Sequence, residues 1–133
     1  MALLDAFPCD SVLFPFNFVT ATQGDFGPQI LEKAKAKGVA RMALKAMAYT
    51  RWAEGETRTY SKAWYRPVSD PEMRRQALRF TLSQDITAAI PPGHYELYRE
   101  ALDIAAAYTP LSTEEETNLR SAAIGVAPIF SST

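Results

Sequence analysis

One cysteine, one histidine and no dominant charge mark this 133-residue chain, and each scarcity excludes a class of function. Cys9, being alone, can form neither a disulfide within the chain nor a zinc cluster built on several thiolates, which suits a reducing compartment. A lone His94 and scattered carboxylates make neither an HExxH metal motif nor a calcium loop, so no metal is expected. The glycine-rich phosphate loops GxGxxG and GxxxxGKS/T are both missing. No apolar run approaches the roughly 20 residues of a membrane span. The start MALLDAFPCD lacks the basic residues and long apolar core of a signal peptide, so the expected location is cytoplasmic. Lysine and arginine number 14 against 15 acidic residues, a formal charge of −1, so no global field points to nucleic acid or an anionic membrane.

What is present is a pattern. The length suits one domain over residues 1–133 with one core, and the 47% hydrophobic content is ordinary for a globular protein. Gly27 to Ala48 reads as a helix opened by Pro28, with Ile30, Leu31 and Ala34 on its apolar stripe and Lys33, Lys35 and Lys37 solvated. Gly38 stops it, and Val39 to Met47 follows as a buried strand. Asp70 to Gly93 repeats the order. Asp70 caps a helix with Pro71 in its first turn and a buried face of Met73, Ala77, Leu78 and Phe80. A strand over Asp85 to Ile90 then exits through Pro91-Pro92-Gly93. Before both units, Ser11 to Phe18 is a continuous apolar run, with Pro15 suited to an edge, a bulge or the strand's end. The predicted fold class is α/β: about three parallel strands with helices packed outside.

The remaining segments are less regular. Ala2 to Phe7 reads as the last turn of a helix stopped by Pro8, which suggests further sequence upstream. Thr20 to Gly27 reads as a loop, and Tyr49 to Ser69 as a long one without periodicity. Tyr98, Ala101, Leu102 and Ala105 mark an amphipathic helix ended by Pro110. Thr113 and Glu116 form a capping-box pattern for a last helix, and the tail from Ala127 is expected to be loosely held.

Few residues invite chemistry. His94 sits after Pro-Pro-Gly at a strand's C-terminal end, where general acid–base work would suit it and a solvated loop histidine is the bland alternative. Cys9 fits a buried, inert thiol. The loop residues Tyr49, Arg51, Trp52, Tyr60, Lys62, Trp64, Tyr65 and Arg66 could pack over helices, line a small-molecule pocket or stack single-stranded nucleic acid. Glu54, Glu56 and the neutral total argue against the last. Glu114 to Glu116 suit a helix start. Lys45 is different: it interrupts the apolar strand ARMALKAMA, where an ammonium needs a partner, an exit to solvent or an anion.

In order, four segments resemble successive parts of the aldo/keto reductase family. SVLFPFNF resembles its sixth barrel strand, and LEKAKAKGVARMALKAMA its sixth helix and seventh strand. EMRRQALRFTLSQDITAAIPPG resembles the seventh helix and eighth strand, and YELYREALDIAAAYTPLSTEE the eighth helix and the segment after it. Order and spacing over nearly the whole chain carry the likeness. The family folds as a (β/α)8 barrel of about 250 residues. It reduces carbonyls with a nicotinamide cofactor, usually NADPH, without metal.

The resemblance implies an incomplete TIM-barrel-like fragment. It implies cofactor contacts at Leu44 beside the nicotinamide, at Lys45, Ala46 and Met47 on the pyrophosphate side, and at Ile90, Pro91, Pro92 and Gly93 toward the adenosine phosphate. Phe14 or Pro15 stands where the family usually has a glutamine, Ala46 replaces a proline, and Ala101 stands where an asparagine is common. Arg99 could supply charge for a 2′-phosphate. The family's catalytic tetrad lies on earlier strands, so no catalytic residue is assigned. The expected function is that of a truncated NADP-dependent oxidoreductase, inactive alone, whose parent family acts on small carbonyls. A non-catalytic oligomeric module for a nucleotide or phosphate, or a structural remnant, is the alternative. Two open strand edges and one open face predict a homo-oligomer.

Overall fold

A computed structural model describes residues 2–131. The chain runs through α1 (Ala2–Ala6), β1 (Ser11–Pro15), α2 (Phe18–Gln23), α3 (Pro28–Ala36), β2 (Ala40–Leu44), β3 (Ala48–Arg51), β4 (Tyr65–Pro67), α4 (Pro71–Leu82), β5 (Ala88–Ile90), α5 (Tyr95–Ala106) and α6 (Thr113–Ala123). Strands β1, β2 and β5 form a parallel sheet with β2 in the centre, and β3 and β4 form a separate antiparallel pair. The architecture is mixed α/β, as the two helix–strand units predict.

Register explains which face is packed. Phe14 lies beside Ala43, and Ala43 beside Ala89. Phe14 and Ala43 join a core with Phe16, Phe18, Val19 and Leu31, together with Ala77 and Phe80 of α4 and Leu119 and Ala123 of α6. Ala89 packs with Leu78, Leu97, Ala101 and Ile104 in a second cluster. On the alternate positions, Met42 pairs with Leu13 and Ala88, while Leu44 pairs with Pro15 and Ile90. None of these joins a core cluster; Leu13 is 59% exposed and the rest are half-buried. One face of the parallel sheet is therefore open, which is unusual for an all-parallel arrangement.

Buried arginines of α4 tie the outer helices down. Arg74 Nε donates to both Glu100 carboxylate oxygens at 2.9 and 2.8 Å, and its Nη1 to the Val68 carbonyl at 2.7 Å. Arg79 donates to both Glu115 oxygens at 2.7 and 3.1 Å and to the carbonyls of Thr109 and Pro110, each at 2.8 Å. The Arg79 guanidinium, helped by the Ser112 backbone N–H, holds the Glu115 carboxyl at about 2, below its ordinary 4.5. A depressed carboxylate stabilises the fold above its unfolded value, and that contribution fades as pH falls from about 4.5 to about 2. Urea titrations across this window are expected to show a steeper loss of stability for the wild type than for Glu115→Gln. Parallel slopes would contradict the pairing. Asp5 and Asp85, lowered mainly by hydrogen bonds from Lys33 and Lys35 respectively, act in the same direction and set the residual slope.

Several sequence expectations shift. The apolar run does not stay extended to Phe18: β1 ends at Pro15, and the supposed loop from Thr20 contains most of α2. The reason is a capping box. Asn17 Oδ1 accepts from Val19 and Thr20 N–H at 3.0 and 2.9 Å, and the Asn17 N–H donates back to Thr20 Oγ1 at 3.2 Å. The second and third strands are shorter than predicted, Ala40–Leu44 and Ala88–Ile90. Lys33 and Lys37 both pair with Asp5, and Lys35 pairs with Asp85 at 2.9 Å, so these lysines are not simply solvated. In α5 the buried stripe is Leu97, Ala101 and Ile104, while Tyr98 and Leu102 are exposed. The last capping box uses Ser112 and Glu115, one residue earlier than Thr113 and Glu116. The tail is anchored, not loose: Ile129 is buried and Phe130 stacks on Phe26 at 5.7 Å. Ser132 and Thr133 at its end, and Met1 at the start, lie outside the described residues.

Candidate functional site

The exits of β2 and β5 lie side by side, because Leu44 pairs with Ile90. After Leu44 the backbone reverses. Lys45 takes a φ of 67°, and the Ala48 N–H donates to the Lys45 carbonyl at 2.9 Å, closing a turn. A positive φ at a residue with a long side chain costs roughly 1–2 kcal/mol, and such positions concentrate at functional sites. After Ile90, Pro91 and Pro92 cannot donate to the ladder, and the chain leaves through Gly93 and His94 into α5. A third wall comes from the hairpin, where Lys62, Ala63, Trp64 and Tyr65 lead into β4. Between these segments lies a groove lined by Leu44, Lys45, Ile90, Pro91, Pro92 and Gly93 on the sheet side. Its volume of about 60 Å³ holds a few water-sized groups, hence one phosphate or carboxylate group rather than a whole dinucleotide.

The groove is cationic. Lys45 Nζ lies 5.6 Å from the Trp64 ring centre and 5.0 Å from that of Tyr65. Such contacts favour an ammonium but do not neutralise it. Among the described residues no carboxylate pairs with Lys45 or Lys62, and none lines the groove. Burial holds the Lys45 amine below the usual lysine value, and burial pushes the Tyr65 phenol up to about 12, so that phenol is neutral at pH 7.

The hairpin wall is fixed in place. Trp52 Nε1 donates to the Ala63 carbonyl at 2.8 Å, and Thr50 Oγ1 and Arg51 Nη2 reach the carbonyls of Ala127 and Ile129 at 2.8 and 3.2 Å. Ala48, Ala63, Tyr65 and Ile129 form a small core beneath it. Trp64 meets Tyr65 and Phe130 edge-on, with ring centres 5.6 and 5.9 Å apart.

Not every predicted residue arrives here. The side chains of Ala46 and Met47 turn into the second core cluster and do not face the groove. His94 is half-buried beside it: its Nε2 lies 2.7 Å from Glu96 and its ring meets Tyr60 edge-on at 5.1 Å. Cys9 is half-buried at the opposite end of the sheet, next to Pro8, Lys37 and Val39, rather than fully enclosed. Phe14 is core, Pro15 borders the open face, and Ala101 is buried on the inner face of α5. Arg99 is exposed on α5 and does not line the groove.

The aromatic and basic residues of the long segment disperse. Tyr49 stacks on Phe18, while Trp52, Tyr60 and Arg66 border a separate hollow that contains Glu56. They make no continuous stacking track of the kind a nucleic-acid strand needs. Nothing in the sequence sets Lys62 and Trp64 apart from these neighbours.

Among the described residues no three His, Cys, Asp or Glu side chains gather as a metal site, and no helix is long and apolar enough to cross a membrane. Comparison of the chain with protein-family models, curated proteins and solved structures finds no match.

Proposed function

We propose that the groove at the C-terminal mouth of the sheet holds the phosphate portion of a nicotinamide dinucleotide. On this reading the chain corresponds to the late strands of an aldo/keto-reductase-like (β/α)8 barrel. The observation that carries the proposal is Lys45: an unneutralised, half-buried ammonium in a left-handed backbone conformation at the strand exit. Strand C-terminal ends are where α/β folds bind ligands. The open face of the parallel sheet fits the interior of a barrel whose other strands lie elsewhere, and the helices lie on the opposite side, as barrel helices do.

The residues fit the phosphate part of such a cofactor. Lys45 would supply charge, Leu44 an apolar contact, and Pro91 to Gly93 a wall without side-chain charge. When bound, the cofactor supplies a hydride. The chain's own residues bind and orient it, and none is assigned to proton transfer. The purified chain mixed with NADPH and a small aldehyde is therefore expected to leave the cofactor's absorbance unchanged. Cofactor-dependent carbonyl reduction would contradict the assignment of no catalytic residue.

A second reading has its own support. The small groove volume matches one phosphate group, so a binding module for simple phosphorylated ligands satisfies the same geometry. Equal affinity for NADPH and inorganic phosphate would favour it.

A further inference from the structure

We propose that Lys45 is an acylation site, its amine taking the acyl group of small acyl phosphates that enter the groove at the end of β2. The inference shares Lys45 with the reading above but requires no dinucleotide.

The chain has five lysines, and their surroundings differ. Lys33 and Lys37 pair with Asp5, and Lys35 with Asp85 at 2.9 Å. A carboxylate beside an ammonium holds its proton; the Asp85 hydrogen bond raises the Lys35 amine above the usual lysine value. Lys62 is exposed to solvent. Lys45 is half-buried without an acceptor. Among the described residues its amine makes no ion pair or hydrogen bond, and the rings of Trp64 and Tyr65 lie 5.6 and 5.0 Å away. Those rings hold the amine in place but offer its N–H groups no oxygen. Burial holds the Lys45 amine below the usual lysine value, so more of it is neutral at pH 7 than of an exposed lysine. The neutral amine is the nucleophile, and desolvation beside apolar walls activates it.

The groove suits the donor. No carboxylate lines it to repel a phosphoryl group, and Leu44, Ile90, Pro91 and Pro92 offer apolar contact to a short acyl chain. A volume of about 60 Å³ admits a group of acetyl size and excludes long chains. The nitrogen lone pair attacks the acyl carbon and a C–N bond forms. The bond from the acyl carbon to the phosphate oxygen breaks, and its electron pair leaves with inorganic phosphate. The extra proton on nitrogen passes to water. The product is a neutral amide, which has lost both the charge and the cation–ring contacts of the ammonium. On the anion reading above, acylation therefore shuts the groove to phosphates.

The test incubates the purified chain with acetyl phosphate at pH 7 and follows acetyl occupancy at each lysine by peptide mass spectrometry. Lys45 is expected to be acetylated about tenfold faster than Lys62, with Lys33, Lys35 and Lys37 slower still. Lys62 is a control inside the same folded molecule, so the comparison needs no variant. In guanidinium chloride, where the groove is gone, the preference should vanish. Lys45 acetylated no faster than Lys62, or a preference that survives unfolding, overturns the proposal. Calorimetric titration with inorganic phosphate separates the two readings. Selective acetylation of a chain that binds no phosphate removes the anion reading and leaves the acylation site standing. Phosphate binding with uniform acetylation does the reverse.

Discussion

Truncating Phe80 to alanine is expected to lower the free energy of unfolding by about 3–5 kcal/mol. Phe80 is 1% exposed and stacks almost parallel on Phe16, with ring centres 6.1 Å apart. The Arg120 guanidinium lies 4.8 Å over the Phe80 ring. Phe80 belongs to α4 and lies in the core cluster with Phe14 of β1, Phe18 and Val19 of α2, and Leu119 and Ala123 of α6, so the cavity would open between several elements and none can close it alone. Domains of this size have only about 5–15 kcal/mol in total. With one sheet face uncovered, this chain has less buried area to draw on, and the variant is expected to be partly unfolded at 37 °C. Urea unfolding followed by circular dichroism measures the effect. A loss below about 1 kcal/mol would show that α4 is not the centre of the core.

The second large effect separates binding from stability. Lys45→Gly is expected to reduce anion affinity by roughly ten- to a hundredfold, since it removes a charge-assisted contact from a half-buried site. The same change should leave stability unaltered or raise it by up to about 1 kcal/mol. Lys45 has a φ of 67°, a conformation glycine adopts without strain. Among the described residues its amine has no ion pair to lose, only the contacts over Trp64 and Tyr65. A variant that binds poorly and melts no lower than the wild type cannot be explained by misfolding. Should Lys45→Gly be clearly less stable while binding is unchanged, Lys45 is a structural lysine and the groove has another use.

The elements legible in the sequence are those with local punctuation. Pro28 and Gly38 bracket α3, and Asp70 with Pro71 starts α4, because caps and breakers act within a few residues. The parallel sheet follows from the order of helices and strands. What escapes depends on contacts distant in the chain. The β3–β4 pair joins residues around Thr50 to residues around Arg66 with no tight-turn dipeptide between them, so the segment reads as a loop. Its stability also draws on Ile129 and Phe130, in a tail whose composition looks like a loose end. For α2 a signal is present, Asn17 followed three residues later by Thr20, but the surrounding Phe-Asn-Phe-Val hides it inside an apolar run. In α5 two stripes fit the helical period, and only the position of β5 decides that Leu97 and Ile104 face inward.

The site divides in the same way. Lys45 stands out because a charge in an apolar strand demands a reason, and its position at the exit of β2 meets that demand. Ile90 to Gly93 follow from the paired strand ends. Ala46 and Met47, adjacent to Lys45 in sequence, are turned inward by the reversal that the positive φ begins. Lys62 and Trp64 reach the groove only through the hairpin, so their place cannot be read before the hairpin itself.

The groove at the mouth of the sheet is proposed to hold the phosphate portion of a nicotinamide dinucleotide. Calorimetric titration of the purified wild-type chain with NADPH tests it most directly. Saturable binding in the micromolar range, weakened by added salt as a charge-driven contact must be, is the predicted result. No detectable heat at millimolar NADPH, with the chain folded by circular dichroism, would contradict it.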